Sequence, residues 1–148
     1  MRSNGALLSL LLVVTSVGAQ SIVETATEEQ IRTASCAFMA MSKPAQSSLL
    51  RATEQYLKSK DSVSLIEAFQ IDEVPNALGR CSDVHAAMTM KARPSNRDVG
   101  HFFDGSERAL RLLVLEKVAR TQGASAKEIK KIKDKTYEGL MQFNEEHY

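Results

Sequence analysis

Residues 106–122 constrain the fold more than any other stretch of the chain. They contain RALRLLVLEKVARTQ, in which Ala109, Leu110, Leu112, Leu113, Val114, Leu115, Val118 and Ala119 fall on nearly every side of a helical projection. An ordinary surface helix buries one apolar stripe, whereas a helix apolar almost all round has to be enclosed by its neighbours. The segment therefore predicts a central helix, and Gly123 just after it is the residue that most readily ends one. Whatever else folds here must wrap around it.

The flanking sequence offers helices for that wrapping. Thr27 and Gln30 form a capping box, after which Ile31, Ala34, Phe38 and Met41 share one face. Pro44, suited to a first turn, opens a second helix to about Lys58 that carries Leu49, Leu50, Thr53 and Leu57. Asp61 or Ser62 caps a short third helix with Val63, Ile66 and Phe69. A fourth is expected to start near Pro75 and to place Cys81, Val84, His85 and Met88 on one face. Residues 91–105, KARPSNRDVGHFFDG, break the periodicity and are expected to form a loop. Ser125 and Glu128 cap a last helix whose narrow seam is Ile129, Ile132, Thr136, Leu140 and Phe143. No segment alternates long enough to nominate a strand, and aromatics make up only 5% with no Trp. The expected fold is all-α, a compact bundle of five or six helices around the central apolar helix at about 106–122, with one disulfide.

At 148 residues the chain has room for one domain and hardly two. Its first nineteen residues, MRSNGALLSLLLVVTSVGA, place Arg2 before an apolar run interrupted only by Ser9 and end on Val17-Gly18-Ala19. This is the pattern of a secretory signal peptide, so residues 1–19 are expected to be removed and 20–148 to form a single helical domain. The apolar run is about half the roughly 20 residues needed to span a bilayer, and no later stretch comes closer. No transmembrane segment is expected, and the final residues carry neither a lipid-attachment tail nor a retention signal. The whole chain has 19 Lys+Arg against 18 Asp+Glu, and loss of Arg2 brings the two into balance. A chain without net charge has no global field to draw it to nucleic acid, so no nucleic-acid partner is expected.

Export changes how Cys36 and Cys81 are read. They are the only two cysteines, and in an oxidising compartment an even pair is expected to form a bridge, here closing a loop of about 45 residues. The rival reading joins Cys36, Cys81 and His85 in a metal site, but a zinc site would need a fourth ligand and both thiolates reduced. Free or intermolecular thiols are the remaining alternative. The expectation is a Cys36–Cys81 disulfide and no metal. No Asn-x-Ser/Thr sequon is present, so N-linked glycosylation is not expected.

Catalytic motifs are missing. The three histidines, His85, His101 and His147, lie near no Gly-x-Ser-x-Gly elbow, and the zinc-protease, P-loop and dinucleotide patterns are absent. No catalytic residue and no cofactor are expected. Three other groups merit attention. His101, Phe102, Phe103 and Asp104 put two large rings beside two titratable groups, a candidate partner contact or lid, although core filling beside a helix cap is the plainer role. Lys127, Lys130, Lys131, Lys133 and Lys135 form a basic run that is a candidate contact for an anionic surface, or simply a solvated helix face. Phe38, Met41, Phe69 and Met88 are candidate linings for an apolar ligand, or plain core. The sequence thus points to a secreted, non-enzymatic binding protein acting on an extracellular protein or cell surface. The alternative is an extracellular carrier of a small apolar ligand, such as a fatty acid, in the helical core.

Overall fold

The computed structural model describes residues 26–82 and 95–147, the last five of these by backbone alone. Among them are six helices: α1 (Glu28–Ala40), α2 (Lys43–Ser59), α3 (Ser62–Ala68), α4 (Glu73–Cys81), α5 (Asn96–Thr121) and α6 (Ala126–His147). The helix starts are set by their caps. The Thr27 hydroxyl accepts from the Gln30 N–H while the Gln30 side chain accepts from the Thr27 N–H. Ser125 and Glu128 exchange the same pair of bonds before α6, and Ser42 and Asp61 cap α2 and α3. Gly123, at φ +82°, ends α5 with the Gly123 N–H on the Arg120 carbonyl and the Ala124 N–H on that of Ala119. That pair of bonds is a Schellman motif, for which a left-handed residue is needed.

α5 is the central element. It packs against α1, α2, α4 and α6, while α3 is reached through α2 and α6. Leu110, Val114 and Leu115 are sealed from solvent and join Phe38, Met41, Leu49, Leu65, Phe69 and Leu78 in one core. Three of the buried polar side chains are satisfied locally. Thr53 donates to the Leu49 carbonyl, Ser106 to that of Phe102, and Gln46 to that of Met41. Two glycines permit close crossings. A Cβ at Gly105 would collide with the Gln30 amide of α1, and one at Gly139 would press 3.1 Å from the Ser62 hydroxyl of α3.

The structure corrects the reading of residues 91–105. From Asn96 onward they are the first three turns of α5, not a loop. Ser95 and Asp98 form a capping box directly after Pro94, so the helix starts ten residues before the apolar run. Ile31 and Val63 also depart from expectation: they are 51% and 45% exposed and lie off the buried faces of α1 and α3. α4 starts two residues before Pro75 and ends at Cys81. Val84, His85 and Met88, expected to continue its face, lie outside the described residues, as do residues 1–19, expected to be a leader.

Cys36 and Cys81 are bonded and staple α1 to the end of α4. A second tie joins α4 to the start of α2, where the Glu73 carboxylate accepts from both the N–H and the hydroxyl of Ser42 at 2.9 and 2.8 Å. On the other side of the bundle Glu116 of α5 takes Arg120 at 2.6 Å and Lys133 of α6 at 3.1 Å.

Two predictions follow the chain through these ties. Replacing both cysteines by alanine removes a crosslink across 45 residues, a loss of about 4 kcal/mol from loop-closure entropy; urea unfolding will show a lower midpoint with the helical content retained. Glu73, held by Ser42, and Glu116, held by Arg120 and then Lys133, both sit below the usual carboxylate range. Their stabilisation is complete above the unfolded-state pKa of about 4.3 and is lost as the pH falls through the lower folded value. Thermal melts between pH 7 and pH 2.5 will therefore show falling stability on the acid side, with a shallower fall in Glu73→Gln.

Candidate functional site

The enclosure of α5 is incomplete along two edges, and each edge forms a cleft. The first lies between α1, α2 and the C-terminal end of α5 and has a volume of about 740 Å³. Phe38, Leu50 and Val118 form its floor. Phe38 and Val118 are buried and Leu50 packs against the core from α2. Arg51, Lys117 and Arg120 stand around the floor, with Glu54 the one acid among the described lining residues. The Lys117 ammonium lies 5.5 Å from the centre of the Phe38 ring, within range of a cation–π contact. Arg120 is held by Glu116 and Glu54 meets Lys58 at 3.3 Å, whereas Arg51 and Lys117 are exposed.

The second cleft, about 700 Å³, lies between the α3–α4 connection and the middle of α5. Arg111 reaches into it from α5. Its guanidinium lies 5.5 Å over the Phe69 ring and meets Glu107 at 2.6 Å, with the side chain only 11% exposed. Burial lowers the Arg111 pKa, Glu107 opposes that shift, and the like charge of Arg108 adds to it. Nε of Arg111 is buried without a hydrogen-bond partner among the described residues. Asp72, Asp104 and Arg108 complete a rim of mixed sign.

The groups singled out in the sequence are dispersed. Phe102 is core, with its ring edge-on to the half-buried Phe103 at 5.7 Å. His101 is exposed, accepts from Arg97 at 3.3 Å, and sits on a helix, so these four residues do not make a loop lid. Asp104 faces the second cleft. Phe38, Met41 and Phe69 are 5%, 4% and 1% exposed and pack within the core, Phe38 at the floor of one cleft and Phe69 under the other. Met88 lies outside the described residues. Of the lysines, Lys133 is drawn into α5 by Glu116, while Lys127, Lys130, Lys131 and Lys135 are exposed on α6. Among the described residues, no group of three or more His, Cys, Asp or Glu side chains is arranged to hold a metal.

Sequence reading missed both clefts. Each is lined by residues from helices far apart in the chain, and only packing brings Arg51 to the same cleft as Lys117. One signal was available: Arg111 interrupts the most apolar run of the chain, and a charge placed there must find a partner or a cleft. No protein family, curated protein or solved structure matches this chain.

The Arg111 arrangement has a stability consequence. A buried ion pair returns little beyond its desolvation cost, and one with an unsatisfied nitrogen returns less. Arg111→Met will therefore leave the urea midpoint unchanged or raise it. Glu107→Gln strands the guanidinium and will cost about 1–2 kcal/mol, read from the same unfolding curves.

Proposed function

We propose that this chain is an exported binding protein that engages an extracellular protein through the cleft between α1, α2 and α5, acting by association and not by catalysis. The observation that carries this reading is the charge around that cleft. The exposed Arg51 and Lys117, with Arg120 paired to Glu116, ring a floor of Phe38, Leu50 and Val118, and Glu54 is the one acid among the described lining residues. Such a surface complements a segment that alternates carboxylates with large apolar side chains. The cleft is a trough open to solvent, which favours an extended or helical segment over a small molecule, since small-ligand sites bury most of their guest. Export is supported by the leader pattern of residues 1–19 and by the Cys36–Cys81 bridge. Among the described residues, no helix is long and apolar enough to cross a membrane.

Selection from a displayed random-peptide library against the oxidised domain tests the reading. Enriched peptides are expected to pair Asp or Glu with Leu, Ile or Phe, and to bind the exposed-site double variant R51E/K117E at least about tenfold more weakly. Peptides without charge bias, or with equal affinity for the variant, would overturn it. Saturable uptake of a fluorescent fatty acid by the same protein, in place of peptide binding, would move the conclusion to the apolar-ligand carrier.

A further inference from the structure

We propose that a pocket between the end of α2 and the middle of α6 binds one tetrahedral oxyanion, a sulfate or phosphate group, through Lys60, Lys131 and Lys135. The pocket shares no lining residue with the cleft assigned to the protein partner, so the two readings stand or fall separately. It is small, about 160 Å³, and is lined by those three lysines together with Tyr56, Ile132 and Thr136. That volume is roughly five times a water molecule's share of the liquid, enough for one oxyanion and far too little for a nucleotide. Among the described residues no carboxylate lines it.

The lining points to an anion. Lys131 and Lys135 are one turn apart on α6, where like charges repel, and Lys60 is brought to the same pocket from another helix. Three lysines lining one cavity, with no acid among the described lining residues, form an arrangement that an oxyanion relieves, and lysine binds phosphate-type groups as a point charge.

Lys60 itself stands in an unusual backbone state. It is the C-cap of α2 at φ 60°, the one non-glycine residue with positive φ among the described residues. Glycine or asparagine is the ordinary occupant of such a left-handed position. Its sequence neighbour Asp61 accepts from the Ser64 hydroxyl and the Val63 N–H at the start of α3 and is not among the pocket's lining residues.

The hydroxyls of Tyr56 and Thr136, both buried, line the pocket 3.0 Å apart, and one donates to the other. The same bond fixes α2 against α6, and with it the separation of Lys60 from the two lysines of α6. Lys127, one turn before Lys131, extends the positive row by about 6 Å, in the direction a chain carrying several sulfates would run.

The test is thermal unfolding of the oxidised domain with sodium sulfate, sodium phosphate or a heparin-derived oligosaccharide, against sodium chloride at matched ionic strength. Sulfate and phosphate are expected to raise Tm along a saturable curve, as a ligand specific for the folded state does, and backbone NMR shifts are expected to cluster at residues 56–60 and 131–136. K131Q/K135Q should lose the saturable response. K60G removes one ammonium and relieves the left-handed backbone, so it should melt no lower than the parent in chloride and also lose the response. Oligosaccharide affinity more than about tenfold above inorganic sulfate, and reduced by K127Q, would identify a sulfated chain as the source; equal affinities would identify the free ion. A rise in Tm that is linear in sulfate and persists in K60G is general salt stabilisation, and would overturn the proposal.

Discussion

An apolar helix with no consistently polar side can exist in water only if other elements surround it, and α5 imposes that demand on the rest of the chain. Four helices lie directly against it, and the core they form closes over Leu110, Val114 and Leu115. The demand is met imperfectly because α5 is not uniformly apolar. Arg108 and Arg111 emerge on one side, Lys117 and Arg120 on another, and enclosing helices cannot cover an ionised group without a partner for it. Each side opens into a cleft at that place. Both clefts are therefore consequences of the helix that organises the core.

Enclosure alone does not fix how the surrounding helices are ordered, and the ties between them do. The disulfide holds α1 to α4, and Glu73 holds α4 to the N-terminus of α2, so three successive packing decisions are linked through the short α4. Gly105 lets α1 approach α5 closely enough for the Gln30 amide to reach the Phe102 carbonyl at 3.4 Å while the same side chain caps its own helix. A residue that serves both a helix start and a helix crossing couples local to tertiary structure. That coupling promotes one arrangement over its near alternatives.

Local chemistry was legible in the sequence, and chemistry assembled by packing was not. The capping boxes at Thr27 and Ser125, the break at Gly123 and the inner stripe of Ala34, Phe38 and Met41 depend on residues a few positions apart, and each was read correctly. The start of α5 was misplaced because Gly100 and Gly105 lower the apparent helicity of residues 96–105, although Ser95 and Asp98 carry a capping signature of their own. Gly105 is there for a close helix crossing, which no local pattern reveals. The basic run of α6 was visible as composition, but nothing in it distinguishes Lys133, drawn to Glu116, from Lys131 and Lys135, which line a pocket with Lys60. Spacing gives the face of a helix; only its neighbours decide what that face meets.

The near-equality of acidic and basic residues conceals an unequal division of labour between them. Asp61, Asp98 and Glu128 sit at helix starts, where unpaired N–H groups and the helix dipole favour negative charge, and Glu73 reaches across to a fourth. Glu107 and Glu116 are engaged by arginines of α5. With these carboxylates occupied by the scaffold, Arg51, Lys117, Lys60, Lys131 and Lys135 are left to face solvent in the cleft and the pocket. A molecule with almost no net charge then presents short-range positive surfaces and no long-range field. Beyond a Debye length of about 8 Å in physiological salt such surfaces are screened, so an acidic partner gains little from steering and must be selected in contact, by how its carboxylates and apolar groups fit the floor and rim together.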